Sequence, residues 1–322
     1  MLSYSIRAYQ IAKRFIPRRT QLAIRTKFAI RKLKSCGHVW PIYEPAKTAP
    51  NGWNGWPGGK EFALVLTHDV DTRAGHDRAL ELADLDESAG FRSSFNFVAG
   101  DYIVSSRVRD ELTARGFEVG VHGLHHDSSL YHSRAAFLKQ APFINQTLKE
   151  WNAVGFRSPC MYHNLEWMSD LDVEYDSSTF DTDPFEPQPD GVHTIFPFFV
   201  PGDGDRSNRR ARRVQVGYVE LPYTLPQDFT LFILLRRQTI DIWKKKLDWI
   251  AFNGGMALLN THPDYMAFGN RECSYSEYKA DLYREFLEHI RSVYQDLFWN
   301  PLPKEIARFW VGKSIENISR TH

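Results

Sequence analysis

Residues 62–71, FALVLTHDVD, are the stretch that decides the fold. The stretch opens with an apolar run typical of a buried parallel strand and closes on two carboxylates, Asp69 and Asp71. Because strand side chains alternate with period two, both carboxylates point to the same face. A lone aspartate here would most simply cap the next helix. Two on one face favour a site at the rim of an α/β core, where such folds place their chemistry.

Strand-like and helix-like runs alternate along the rest of the chain. Further strands are predicted at 91–98, 117–122, 154–158, 173–178, 218–224 and 256–262. Helices are predicted at 77–89, 101–115, 133–151, 240–252 and 276–294. This alternation is typical of parallel β/α units. Seven such strands favour a barrel or partial barrel over an open sheet.

Composition indicates one large catalytic domain with extensions. The chain has 322 residues, of which 43% are hydrophobic and 14% aromatic, enough for a large core. We expect a basic extension and a lead-in rich in Gly, Pro and Trp over 1–59, a catalytic domain over 60–297 and a tail over 298–322. A net charge of +1 gives no general attraction to nucleic acid. Three cysteines without CxxC spacing indicate neither a disulfide framework nor a thiolate zinc site, so a reducing, cytoplasmic location fits best.

The first 43 residues contain ten Lys or Arg and no acidic residue. Apolar residues recur there near helical spacing, and Pro17 divides two helical pieces. No apolar run approaches the roughly 20 residues that span a bilayer, and Arg7, Lys13 and Arg14 interrupt any signal-peptide core. Two interpretations remain open. The segment is either an amphipathic arm on an anionic membrane surface, or a pair of helices packed on the domain with a solvated basic face.

Histidines follow the third predicted strand, in VHGLHHD over 121–127. His122 and His126 are four apart, a spacing that puts two imidazoles on one face of a helical turn. His125 is an alternative ligand. Such pairs are often only hydrogen-bonded histidines. Together with one of the aspartates, however, they would give three protein ligands and leave positions for water and substrate, as catalytic zinc sites do.

Two further strand ends carry residues suited to acid and base chemistry. Arg157 lies among apolar residues in FRSP, and a buried guanidinium needs a carboxylate partner, for which Asp69 is suitable. The simpler interpretation is a surface arginine at a turn. His262 follows the apolar run of the seventh strand. We expect Asp228 to lie near it, with Asp176 as the second choice.

Four short motifs carry a resemblance to a known family. THDVD (67–71), HGLHH (122–126), RSP (157–159) and LNTHP (259–263), in this order, resemble the polysaccharide deacetylase (NodB-homology) superfamily of carbohydrate esterase family 4. The resemblance spans about residues 60–265. It implies a distorted (β/α)7 barrel, here with an N-terminal basic helical extension, and a divalent metal, usually zinc.

The resemblance also implies a role for each matching residue. Asp69 would be the general base, and Arg157 would hold it. The metal ligands would be Asp71, His122 and His126, and His262 would be the general acid. The chain departs from the common pattern where Val70 separates two aspartates that are adjacent in many members. It departs again where Cys160 and Met161 follow Pro159, a place where an aromatic is common.

These residues predict a metal-dependent hydrolase that removes an N-acyl (acetyl) group from an amino sugar, a glycan or a lipid-linked precursor. The alternatives are a carbohydrate O-deacetylase and a catalytically silent glycan-binding or assembly protein. A serine elbow and a standard zincin are excluded, because GxSxG and HExxH are absent. Residues 181–190 are predicted to form a rigid loop near the barrel mouth. The five arginines in 206–213 either contact phosphate or lie in a solvated excursion.

Overall fold

A computed structural model of the chain describes residues 16–202 and 217–319, with only the backbone described for 314–319. The strands are β1 (Phe62–Val70), β2 (Ser93–Phe97), β3 (Glu118–Val121), β4 (Gly155–Phe156), β5 (Tyr175–Asp176), β6 (Phe198–Pro201), β7 (Gly217–Glu220), β8 (Met256–Thr261), β9 (Met266–Ala267), β10 (Tyr278–Lys279) and β11 (Phe298–Trp299). The helices are α1 (Arg18–Leu33), α2 (Arg73–Ser88), α3 (Ser106–Ala114), α4 (Arg134–Trp151), α5 (Asp241–Phe252), α6 (Asp281–Val293) and α7 (Pro303–Ser319).

Seven parallel strands form a ring in the order β8, β1, β2, β3, β4, β5, β7. The ring closes where the chain beyond β7 meets β8, through a bridge between Leu225 and Leu259 and a 3.0 Å hydrogen bond from the Thr224 N–H to the Leu258 carbonyl. It is distorted because β4 and β5 are only two residues long and β6 pairs antiparallel with β7. The predicted seven-stranded barrel is confirmed.

Strand β1 is the centre of the barrel core. All nine of its residues are buried, including the polar ones. Strand β1 is longer than its neighbours β2 and β8. It pairs with β2 through residues 66–70 and with β8 through residues 63–68. Because all ring strands are parallel, their carboxyl ends open on one rim, where the predicted site residues were expected to meet.

Three helices begin four or five residues away from the predicted start. Helix α3 begins at Ser106 rather than 101. Helix α2 begins at Arg73 rather than 77, because the side-chain oxygen of Thr72 caps it by accepting from the Ala74 N–H. Helix α6 begins at Asp281 rather than 276, because Tyr278 and Lys279 pair with residues 266–267 in a small two-stranded sheet.

The predicted tail is part of the folded domain over its described length. Strand β11 pairs with the first residues of β1, and α7 packs against β5, β6 and β7. Trp310 of α7 stacks 5.2 Å from Trp53 and 6.2 Å from Trp56, ring centre to ring centre. The lead-in and the C-terminal segment therefore cover the barrel together. Sequence reasoning missed this because the aromatic partners lie about 250 positions apart.

Helix α1 packs on the domain beside a short π-helix, Phe229–Leu234. Its buried residues are Leu22 and Ala29, while its other faces are largely exposed. Helix α1 therefore lies against the domain on one side; the predicted helical piece within 1–15 and the arginine-rich stretch 206–213 lie outside the described residues. None of the helices in 16–202 and 217–319 is long and apolar enough to cross a bilayer.

Candidate active site and metal centre

Asp69 is held near the end of β1 by three donors, two of which lie near the ends of the adjacent strands β2 and β8 and one just after β4. Its Oδ1 accepts from Asn96 Nδ2 at 3.0 Å and from Arg157 Nη1 at 3.2 Å, and its Oδ2 accepts from Asn260 Nδ2 at 2.8 Å. Burial alone would raise the pKa of Asp69. The charges of His122 and Arg157 lower it by a larger amount, so the net pKa is below the ordinary value. A buried carboxylate held in this way is ionised and fixed in orientation.

Arg157 is fully buried, and its Nε, Nη1 and Nη2 atoms all donate hydrogen bonds to buried acceptors. Nη1 also donates to Thr67 Oγ1, while Nε and Nη2 donate to the carbonyl and the hydroxyl of Ser177, each at 2.7 Å. The surface-turn interpretation is therefore wrong. A planar guanidinium bound at several donors cannot swing, so it fixes the position of Asp69.

Asp71 lies beside both predicted histidines. Its Oδ1 is 3.5 Å from His122 Nε2 and 3.2 Å from His126 Nε2, and one ligand atom of each residue lies within 4.8 Å of the others. The loop that carries the histidines is irregular, not the predicted helical turn. Gly123, at a φ of +71° and with a would-be Cβ only 2.7 Å from Pro159 Cγ, turns the chain between them.

His125 turns away from this group. Its Nδ1 lies 2.7 Å from Asp101 Oδ1, and its side chain is 52% exposed. The other oxygen of Asp101 accepts from the backbone N–H of His126 at 2.7 Å. Asp101 therefore fixes the loop while drawing His125 outward. Of the three histidines in this loop, His122 and His126 face Asp71.

The group of Asp71, His122 and His126 fits a divalent metal. Asp71 Oδ1 is buried and accepts no hydrogen bond from the described residues, and a bound cation would satisfy it. His122 Nδ1 lies 3.0 Å from the Arg157 carbonyl, so that nitrogen carries the proton and Nε2 keeps its lone pair for a metal. Burial lowers the pKa of His126, but the Asp71 charge raises it to about 10, so the site favours positive charge. Two imidazoles and a carboxylate are ligands typical of zinc.

His262 and Asp228 form a second polar pair on the same rim. His262 Nδ1 lies 2.7 Å from Asp228 Oδ1. The backbone N–H of His262 and the Tyr278 hydroxyl donate to the other oxygen, Asp228 Oδ2, at 2.8 and 3.0 Å. Burial lowers the pKa of His262, whereas the Asp228 charge and hydrogen bond raise it to about 10. With Nδ1 engaged, Nε2 is the ring nitrogen left to exchange a proton.

Asp176, the second choice for this pair, lies elsewhere. It stands in register with Glu220 on β7 and accepts a hydrogen bond from Ser178. Burial raises the pKa of Asp176 to about 6. Burial also raises the pKa of Glu220, to well above its ordinary value. The structure thus places Asp228, and not Asp176, beside His262.

Four positioning residues were missed by sequence reasoning: Asn96, Asn260, Asp264 and Tyr265. Asn96 stands in register with Asp69 on β2, and Asn260 shares the face of His262 two residues on. Asp264 accepts from the backbone N–H groups of residues 71 and 72 at 3.0 and 2.9 Å, and the Tyr265 hydroxyl donates to Asp71 Oδ2 at 3.2 Å. For Asp264 and Tyr265, the available sequence signal was the polar run that continues past His262.

The acidic loop 181–190 lies against the same region. Glu186 Oε1 accepts from the Tyr223 hydroxyl and from Gln227 Nε2, each at 2.8 Å. Gln227 Oε1 in turn accepts from Asn260 Nδ2 at 3.4 Å. A chain of hydrogen bonds therefore joins the loop to the residues that hold Asp69. On the other side of the rim, Cys160 Sγ lies 4.0 Å from His126 Nε2, where the resemblance makes an aromatic common.

The fold and the site together define a distorted parallel α/β barrel with a candidate metal centre at the carboxyl ends of its strands. Within that class, the fold is similar to those of solved structures that include proposed polysaccharide deacetylases. No protein-family model and no curated protein matches the sequence. Solved structures do match.

A proposed polysaccharide deacetylase from Mycobacterium smegmatis superimposes with a TM-score of 0.60 at 18% identity, covering 83% of this chain and 96% of that one. The Puue allantoinase gives 0.58 at 15% identity, covering 84% and 97%. A proposed polysaccharide deacetylase from Pseudomonas aeruginosa PAO1 gives 0.56 at 16% identity, covering 84% and 98%. At these identities the likeness is one of fold.

Proposed function

We propose that this chain is a metal-dependent hydrolase that removes an N-acyl group, acetyl or a close analogue, from an amino sugar or a glycan precursor. The observation that carries the proposal is the separation of two carboxylates on one rim. Asp71 faces two imidazoles, while Asp69 is held by amide and guanidinium donors. One carboxylate is thus suited to bind a metal and the other to accept a proton. The fold shared with the proposed polysaccharide deacetylases agrees with this.

Asp71, His122 and His126 would hold the metal, zinc in our proposal. When bound, the metal supplies polarisation of the acyl carbonyl and a lowered pKa for water. Asp69, ionised and fixed, accepts the proton of the attacking water as the water oxygen bonds to the acyl carbon. Because Arg157, Asn96 and Asn260 hold the carboxylate, little reorganisation is needed during the transfer.

His262 would complete the reaction at the leaving nitrogen. An amine leaves poorly unless it is protonated. His262 gives its Nε2 proton to that nitrogen as the bond between carbon and nitrogen breaks, and the products are a carboxylic acid and a free amino sugar. Asp228 keeps the ring charged and oriented through Nδ1. The base and the acid thus have different groups around them, which set their opposite protonation states.

The direct test combines metal analysis with a screen for acyl release. Purified protein is expected to hold about one equivalent of metal per chain, and His122→Ala or His126→Ala to lose it. The screen measures acetate and formate released from nucleotide-linked and lipid-linked amino sugars. His125→Ala is the matched control, because that imidazole points to Asp101, and it should keep the metal.

Full activity in metal-free protein would contradict the proposal. So would loss of the metal with His125→Ala alone. Metal binding without release from any substrate would point to the silent glycan-binding alternative, and release from sugar esters only would point to an O-deacetylase.

We also propose that residues 1–43 make peripheral contact with an anionic membrane, on the cytoplasmic side. The support is the outer surface of α1. Phe28 is 69% exposed and Ile24 42% exposed, among exposed cations such as Lys27 and Arg31. Apolar side chains among cations suit the boundary between lipid headgroups and acyl chains.

This contact predicts salt-sensitive binding to vesicles that contain anionic lipid. Phe28→Ser together with Lys27→Gln should weaken it, because both the apolar and the ionic contribution are reduced. Sedimentation of the protein with vesicles measures the effect, and neutral vesicles are the control. If the protein binds neither vesicle type at any salt concentration, the result would favour a solvated basic face instead.

A further inference from the structure

Arg25 of α1 lies against a pair of aromatic rings that leads to the proposed acid and to one proposed metal ligand. Its guanidinium carbon is 4.8 Å from the centre of the Phe229 ring, and Phe229 directly follows Asp228 in the chain. The Phe229 ring lies 5.0 Å from that of Tyr265. Tyr265 in turn lies 5.1 Å from the His262 ring and donates its hydroxyl to Asp71. Two aromatic rings therefore separate Arg25 from the reacting groups.

Arg25 also acts on the acidic loop across the rim. Burial and the neighbouring Asp183 raise the pKa of Glu186 to about 8, and the Arg25 charge acts against that rise. Glu186 is linked through Gln227 and Asn260 to Asp69. Arg25 thus lies over the aromatic pair, and its charge is felt by Glu186.

Arg25 has no ionic partner among the described residues, and it makes no hydrogen bond to any of them. It is half-buried, and a guanidinium keeps its charge and five donors under all ordinary conditions. Two other arginines near the rim are paired. Arg157 lies 3.2 Å from Asp69, and Arg78 lies 2.9 Å from Glu277. The Arg25 guanidinium lies over the Phe229 ring, and this contact leaves its N–H donors without an acceptor among the described residues.

We propose that Arg25 binds a phosphate group of the substrate, so that the substrate is an N-acyl amino sugar carrying phosphate close to the sugar ring. This rests on the proposed function and names its substrate class. A half-buried guanidinium with unused edge donors matches two phosphate oxygens at once. The phosphate belongs either to a soluble sugar phosphate or to a lipid carrier. A lipid chain on that phosphate would leave the rim along α1, whose outer surface carries Phe28 and Ile24.

The test is a binding measurement that does not depend on turnover. Metal-loaded Asp69→Asn protein is titrated in a calorimeter with N-acetylglucosamine 1-phosphate and with N-acetylglucosamine. We expect the phosphate form to bind at least about tenfold more tightly, the scale of a charged hydrogen-bonded pair. Adding Arg25→Met should remove this preference. Lys27→Met is the matched control, because it removes the same charge from an exposed position of the same helix.

Arg25→Lys, which keeps the charge and the stem, should retain part of the preference, and Arg25→Gln is a second neutral variant should the Met variant not fold.

A short alkyl diester of the sugar phosphate identifies the source of the phosphate. Arg25-dependent affinity for the diester alone means a lipid-linked phosphate, and affinity for both means recognition of the phosphate itself. An unchanged preference in Arg25→Met and Arg25→Gln would overturn the proposal. Because binding is measured without turnover, phosphate recognition can fail or hold independently of N-acyl hydrolysis.

Discussion

Replacing Asp69 by Asn should lower turnover by about 100-fold or more while the protein keeps its metal. The amide has the shape of the carboxylate but cannot take a proton from water. Its oxygen can still accept from Arg157, so the pocket should stay folded. Turnover is measured as acyl release at saturating substrate, and metal content by elemental analysis of the same sample.

Asp71→Asn is the contrasting variant, because Asp71 faces the two imidazoles and Asp69 does not lie as close to them. His122 Nε2 is 3.9 Å from Asp69 Oδ2 but 3.5 Å from Asp71 Oδ1. We expect Asp71→Asn to lose metal as well as activity. Arg157→Ala should reproduce part of the Asp69 loss, since the base is then less firmly held. Metal lost from Asp69→Asn and kept in Asp71→Asn would exchange the two roles.

Replacing His262 by Ala should reduce hydrolysis of an amide substrate far more than hydrolysis of an activated aryl acetate. A phenolate leaves without protonation, whereas an amine does not. Comparing kcat/KM for both substrates in the variant and the parent isolates proton donation from binding. A loss of equal size on both substrates would mean that His262 stabilises the structure or the oxyanion instead.

The pH profile examines the same pair of residues. The rate should be bell-shaped, because Asp69 must be ionised and His262 protonated, and each limb belongs to the coupled site. The pKa of Asp69 is lowered, so the base is ready well below neutral pH. The pKa of His262 is raised to about 10 by Asp228, so the acid stays protonated to alkaline pH. Asp228→Asn removes that charge and should move the alkaline limb downward. The Asp176→Asn control should leave the limb in place.

The barrel could be predicted from sequence because its signals are local. An apolar run ending in polar residues marks a parallel strand wherever it occurs, and seven such runs separated by helical patterns leave few alternatives. The packing of the C-terminal segment on the barrel could not be predicted, for the opposite reason. Helix α7 becomes part of the domain by packing its Trp310 against Trp53 and Trp56, which no local pattern indicates.

Within the site, the sequence by itself determined that Asp69 and Asp71 share a face, because strand periodicity fixes side-chain direction. It also placed the histidine and arginine candidates at strand ends. Only the tertiary structure decided which groups meet. Asp228 rather than Asp176 lies beside His262, Asn96 and Asn260 flank Asp69, and Arg25 lies on Phe229 at the rim. Those contacts join residues 27 to 204 positions apart in the chain, and they depend on strand register, loop course and helix docking. These are set by packing of the whole core, which short-range periodicity does not encode.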